Sequence, residues 1–370
     1  MNPFSIIDYV KPEFFCNRDA ETKRLISAYQ NGRNITLTSI RRLGKTGLIK
    51  HLFYNVSQNK DNNYRLLYVD ILKTENLQDF IKVFSNKLLK EEKNNANWIK
   101  KLSRLISGIN AKISIDNITG QPNFEFDYSK PEEAEHSVES IFEYLANQKD
   151  KYIIAIDEFQ QITTYPEKNI EAILRTNIQH QHKDRYIFSG SSKHILISMF
   201  NDYGRPFYQS SEMLNLERIE IDTYADFIYA KFSSGGKQIG HGLIIEYLKY
   251  LDIHTFYIQY FFNKLFDYET KTVTKEHAVA VFDNILKENE FVYLNYRNIL
   301  TLLQFRLLES IAKEGGIENP NAKAFLTKYN FSQSSVNKSL KSLFNKEMIY
   351  RENNTFKVYD VFFSKWLQRL

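Results

Sequence analysis

The chain has 370 residues, 43% of them hydrophobic and 25% charged, with a net charge of +5. That length and apolar content exclude a disordered chain and leave room for two or three domains. The single cysteine, Cys16, excludes an internal disulfide framework and a cysteine-based zinc site, and it fits a reducing, cytoplasmic setting.

No run approaches the roughly 18 apolar residues of a membrane span. Met1-Asn2-Pro3-Phe4-Ser5 lacks the basic-then-apolar pattern of a signal peptide, so no membrane partner is expected. The mildly basic charge permits contact with nucleic acid without requiring it.

Residues 3 to 17 read as extended, because Pro3 and Pro12 discourage helix. An Asn or Asp cap then starts a helix carrying Leu25, Ile26 and Tyr29, which Gly32 stops. Ile35-Thr36-Leu37-Thr38 reads as a buried strand. It runs into Ser39-Ile40-Arg41-Arg42-Leu43-Gly44-Lys45-Thr46, and Gly47 leads a helix with Leu48, Ile49, Leu52 and Phe53 on its inner side. Strand, loop and Gly-Lys-Thr opening a helix form the layout of a phosphate-binding loop. Backbone N–H groups there point at an anion, and the helix dipole favours negative charge. Lys45 is expected to reach the outer phosphates and to serve catalysis, and Thr46 to complete a Mg²⁺ shell. Ser39, Arg41, Arg42, Leu43, Gly44 and Gly47 complete the expected nucleotide-binding loop. Ser39 stands where the eight-residue pattern has its first glycine, and a small residue can still make that turn. The bland alternative is a chance Gly-Lys-Thr at a helix start.

Arg65 to Ile71 reads as a second strand and Leu77 to Leu89 as an amphipathic helix. Residues 90 to 136 are rich in Lys, Asn and Asp. Within them Ala111 to Ile115 and Asn123 to Tyr128 alternate about turn residues that include Thr119-Gly120 and Pro122, which predicts an inserted β-hairpin. A helix from about Glu132 to Asn147 returns the chain to Tyr152-Ile153-Ile154-Ala155-Ile156, a run suited to a strand buried on both faces. It ends in Asp157-Glu158. A carboxylate at that end sits beside the phosphate loop in open α/β sheets. Asp157 is expected to hold Mg²⁺ through water, and Glu158 to orient or deprotonate the attacking water. The alternative for such a pair is a helix N-cap.

Asn169 to His182 reads as helix and Arg185 to Ser192 as a fourth strand ending in serines. Ser191 is expected at the terminal phosphate or the water; the alternative is a cap for the helix His194 to Phe200. Arg205 is a candidate for stabilising the γ-phosphate, with a surface salt bridge as the alternative. Leu214 to Ile219 supplies a fifth strand. Residues 1–222 thus read as an α/β P-loop NTPase core with a parallel five-stranded sheet, carrying the hairpin at about 105–130.

From Ala225 the chain reads as a helical lid, 223–296. Phe256, Tyr257, Tyr260, Phe261, Leu265 and Phe266 form a stripe at helical spacing, which marks core packing. His254 precedes it, as a packing residue or as a contact to adenine or phosphate. Residues 297–370 read as a winged-helix domain of three helices and a hairpin around Glu352-Asn353-Asn354. Its third helix offers Gln333, Ser334, Asn337, Lys338 and Lys341, a surface that suits DNA but needs no ligand to explain it.

In this order the segments resemble the archaeal-type ATPase family, a branch of the STAND class of AAA+-like P-loop ATPases. The marks are Phe15-Cys16-Asn17-Arg18, Arg41 to Thr46, Ile156 to Gln160, Phe188 to Ser192, Gly204-Arg205, His254 to Gln259 and the ending Tyr359 to Leu367. Ser39 departs from the pattern, as does Phe256, where the lid motif usually has proline. The resemblance implies the strand order of the additional-strand, catalytic-glutamate ATPases, a winged helix folding back near the nucleotide, and slow ATP turnover used as a switch. Two other readings stand beside that switch: a DNA-binding ATPase using its winged helix, and an ATP-binding scaffold with little or no hydrolysis. ATP and Mg²⁺ are the expected ligands. A protein partner encoded nearby and self-association are both left open by the sequence.

Overall fold

Short apolar runs separated by amphipathic helices predict a sheet covered on both faces, and the first part of the chain builds one. The computed structural model describes residues 2–7, 9–59, 63–91, 111–115, 122–126 and 131–370. The chain divides into two compact units, Asp8–Glu217 and a second made of Met1–Ile7 with Arg218–Leu370. The segments read as lid and winged helix therefore fall in one unit.

In the first unit the order is α1 (Asp19–Gln30), β1 (Ile35–Thr38), α2 (Lys45–Gln58), β2 (Tyr64–Asp70) and α3 (Leu77–Glu91). A hairpin of β3 (Ala111–Ile115) and β4 (Pro122–Phe126) follows, paired antiparallel. Its Thr119-Gly120 turn and Asp127-Tyr128 lie outside the described residues. Then come α4 (Pro131–Ala146), β5 (Lys151–Asp157), a 3-10 turn (Phe159–Thr164), α5 (Ile170–Gln179), β6 (Arg185–Gly190), α6 (Lys193–Asn201) and β7 (Glu212–Asn215). The sheet order is β2-β5-β6-β1-β7 and every pairing is parallel.

Alternation along β5 separates the two faces. Ile153 and Ala155 pack with Leu25, Leu48 and Leu52 from α1 and α2. Tyr152, Ile154 and Ile156 pack with Phe84, Phe142 and Phe188 on the other face, under α3, α4 and α5. The fifth strand is shorter and earlier than Leu214 to Ile219. β1 offers only four residues, which pair with Glu212–Asn215, so Leu216 adds one last bond to Thr38 and the ladder ends. The α1 start also differs: Arg18 precedes it in a left-handed conformation, with no side-chain cap.

In the second unit, helices α7 (Ile221–Ser234), α8 (His241–Tyr250), α9 (Thr255–Asp267) and α10 (Lys275–Ile299) come first, with β8 (Gln238–Ile239) and β9 (Thr272–Val273) paired between them. Helices α11 (Leu302–Lys313), α12 (Lys323–Tyr329) and α13 (Gln333–Asn345) lead to the hairpin β10 (Ile349–Glu352) and β11 (Thr355–Val358), and α14 (Val361–Leu367) closes the chain. The three helices plus hairpin make a winged helix. Ser332 caps α13 through its hydroxyl. Among the described residues no helix is long and apolar enough to cross a membrane.

Candidate nucleotide site

Parallel strands place their C-terminal ends on one side of the sheet. Thr38 of β1 lies level with Gly190 of β6, and Ile156 of β5 with Phe188. The loop after β1, the Asp157-Glu158 pair and the serines after β6 therefore open side by side.

The loop turns at two left-handed residues, Arg42 (φ 65°) and Gly44 (φ 100°). Only glycine adopts the second without strain. α2 starts directly after Gly44, so its first N–H groups lie at the loop. Leu43 is buried and Arg41 and Arg42 are exposed. The absent Cβ of Gly47 leaves room for the Phe15 ring, which would lie 3.3 Å from it.

Lys45 is 7% exposed, and its ammonium donates to Ser39 Oγ at 3.0 Å. Burial lowers its pKa, against the pull of Asp157 and Glu158 and with the push of Arg41. Ser39 is not left-handed, so the departure from glycine costs no backbone strain. It adds a hydroxyl that receives the lysine and donates to Ile40 O at 2.6 Å.

Asp157 accepts four hydrogen bonds. Thr46 Oγ1 and the Tyr68 hydroxyl reach Oδ2, the first at 3.0 Å. Ser189 Oγ (2.5 Å) and the Glu158 N–H (3.0 Å) reach Oδ1. Burial and the Asp157 charge push the Tyr68 pKa up, so Tyr68 stays a donor. Thr46 and Asp157 thus converge as hard oxygen donors from loop and strand. That set fits Mg²⁺, which takes one or two protein oxygens and completes its octahedron with phosphate and water.

Glu158 is left-handed (φ 56°) and does not cap the turn that follows it. Its Oε2 accepts from Ser191 N (3.1 Å), Ser191 Oγ (2.9 Å) and Gln160 Nε2 (2.5 Å). Neither serine caps α6 through its side chain; Ser191 is spent on Glu158 instead.

The first unit's architecture is that of a P-loop NTPase, and the sequence agrees. Residues 15–248 match the model of an ATPase domain predominantly from Archaea. The chain belongs to that ATPase family. Residues 291–369 of this ATPase match a probable winged helix domain. In solved structures it is similar to the Walker-type ATPase paby2304 of Pyrococcus abyssi, at 16% identity and TM-score 0.66 over 100% of both chains. It is also similar to the ORC2 protein of Aeropyrum pernix in ADPNP-ADP complexes. That match has 13% identity and TM-score 0.61, over 100% of this chain and 96% of the other. At such identities the likeness is one of fold. No curated protein sequence matches significantly.

Two further residues of the ATPase are expected to serve the nucleotide. Arg205, after α6, forms a two-pronged bond with Glu171 of α5, with Nε to Oε2 at 3.1 Å. His254 belongs to the second unit, buried at the head of α9 with its ring 4.9 Å from that of Tyr257. Three members were missed by reading the sequence: Tyr68, Ser189 and Gln160. Tyr68 carries one signal, since it lies two residues before Asp70, which pairs with Asp157, and so shares its face. Gln160 and Ser189 fall within the family marks Ile156 to Gln160 and Phe188 to Ser192, which assign neither a role.

Proposed function

We propose that this chain binds ATP with Mg²⁺ and hydrolyses it slowly, as a cytoplasmic nucleotide-controlled switch of the STAND type. The contact between Thr46 and Asp157, with Lys45 buried beside it, carries the reading. It joins a phosphate loop to an acidic strand end, which neither a chance Gly-Lys-Thr nor a helix cap would require.

In this reading the N–H groups after Gly44 and the Lys45 ammonium neutralise phosphate charge, with Ser39 handing the lysine over. Thr46 and Asp157 would hold Mg²⁺, which when bound would offset charge on the phosphate oxygens. Glu158 accepts a proton from the attacking water, and Ser191 sets its carboxylate. Arg205 leaves Glu171 to meet the γ-phosphate. His254 is assigned to the base or phosphate by its place in the lid motif alone.

The test compares wild type with Lys45→Ala and Glu158→Gln. Lys45→Ala is expected to lose nucleotide binding, and Glu158→Gln to bind ATP while phosphate release falls by roughly 10²-fold or more. Equal release by all three would reject the assignment.

A DNA-binding ATPase is the second reading. It is favoured by the exposure of Gln333, Ser334, Asn337, Lys338 and Lys341 along α13. It predicts salt-sensitive DNA binding that weakens when both lysines are neutralised.

A further inference from the structure

Gly190 ends β6 and is not left-handed, so backbone freedom does not explain a glycine there. Space does. A Cβ at 190 would fall 1.8 Å from Gln160 Oε1 and 2.9 Å from its Cδ. The bare position admits the Gln160 side chain, which is 8% exposed. Once there, Gln160 donates Nε2 to Glu158 Oε2 at 2.5 Å.

The placement is costly. Gln160 Oε1 is buried and has no hydrogen-bond partner among the described residues, a loss of about 1 to 3 kcal/mol for a polar atom taken out of water. Turning the amide over would set its oxygen against the Glu158 carboxylate. The charge on Glu158 therefore fixes which way the amide faces, and the charge-assisted bond offsets the buried oxygen. Packing alone would be better served by an apolar side chain of the same length. What the glutamine adds is a donor aimed at one oxygen of one carboxylate.

Three donors meet on Oε2 of Glu158. They fix the carboxylate plane and leave Oε1 as the oxygen able to accept a proton. We infer that Gln160 is a positioning residue for the ATPase reaction: seated in the gap left by Gly190, it clamps Glu158 Oε2 so that Oε1 faces the attacking water. The inference rests on Glu158 acting on water, as proposed above.

Gln160→Met fills the same volume without the donor. It is expected to lower kcat at least about tenfold. KM, and the affinity for a fluorescent ATP analogue measured without Mg²⁺, should stay within about twofold, because Gln160 lies at the general base and not at the phosphates. Gly190→Ala should give the same pattern by dislodging Gln160, and the Gly190→Ala/Gln160→Met double variant should be no slower than Gln160→Met. In a Glu158→Gln background, Gln160→Met should cost nothing further.

A Gln160→Met protein with wild-type kcat, while Glu158→Gln is inactive, would overturn the inference and leave the ATPase reading intact. An equal loss from Gln160→Met with and without the Glu158 carboxylate would also overturn it. Wild-type turnover by Glu158→Gln would remove the premise and the inference together. If Gly190→Ala does not fold, Gln160→Met decides alone.

Discussion

The Tyr68 hydroxyl donates to Asp157 Oδ2, the same oxygen that Thr46 reaches at 3.0 Å. β2 thus acts on a site otherwise built from the ends of β1, β5 and β6. With Ser189 on the other oxygen, Tyr68 fixes the carboxylate in the plane in which it meets Thr46. Donors that orient a metal-holding carboxylate typically change metal affinity 10- to 100-fold when removed. Tyr68→Phe is therefore expected to raise the Mg²⁺ concentration for half-maximal turnover about tenfold or more. Manganese binding in the presence of nucleotide, followed by electron paramagnetic resonance, should weaken in parallel. An unchanged Mg²⁺ dependence would remove Tyr68 from the site.

Ser39 holds a buried ammonium, and that bond matters most when no phosphate is present. Ser39→Ala leaves Lys45 without this acceptor, at a cost of roughly 1.5 to 3 kcal/mol for a hydrogen bond to a charged group. The variant should melt lower than wild type without nucleotide. Saturating ATP supplies a new partner, so the gain in melting temperature on adding it should be larger in Ser39→Ala. Equal gains in both proteins would refute this account.

Asp184 gives a pH signature away from the site. Burial pushes its pKa up from 3.8 to about 6, against the Tyr152 N–H it accepts at 2.8 Å. The folded chain then holds this proton more tightly than the unfolded one. Stability from the group is full below pH 3.8 and is lost as pH rises through about 6. Asp184→Asn keeps an acceptor for Tyr152 and removes the titration. Wild type should lose up to roughly 3 kcal/mol relative to Asp184→Asn between about pH 4 and pH 7. Urea unfolding across that range measures it, and parallel curves would contradict it.

Within the second unit, Arg218 fastens the wing to the loop between α8 and α9. It reaches Asp252 Oδ2 at 2.7 Å and Asp252 O at 2.6 Å, and it also pairs with Glu352 of β10. Lys357 of β11 joins both carboxylates at 3.3 Å. Arg218→Ala would leave two carboxylates facing one lysine, at a cost of about 1 kcal/mol for a partly exposed ion-pair network. Amide exchange over 349–358 should speed up in the variant while exchange in β5 stays slow. Unaltered protection of the hairpin would show that packing alone holds it.

Much of this was legible beforehand because it depends on local pattern. The run Tyr152 to Ile156 is apolar at every position, and a strand buried on both faces must be. Gly44 needs a left-handed backbone, and Lys45-Thr46 need a helix start, so their spacing reveals them. The misread parts depend on a partner. The fifth strand stops at Asn215 because β1 is four residues long, a limit set by a neighbour distant in sequence. Ser191 depends on a partner as well: its hydroxyl donates to Glu158, which lies 33 residues earlier.

The sequence by itself determined that a phosphate loop, an acidic strand end and a winged helix follow one another along this chain. Each is written in residues a few positions apart, where backbone geometry and helical or strand periodicity leave little choice. Only the tertiary structure decided how the carboxylates are held. Tyr68 and Ser189 on Asp157, and Ser191 on Glu158, meet because parallel strands bring their ends together, while Gln160 turns back onto Glu158 from two residues on. Hydrogen bonds act over about 3 Å, and no spacing rule along the chain encodes which donors will stand that close once the sheet has formed.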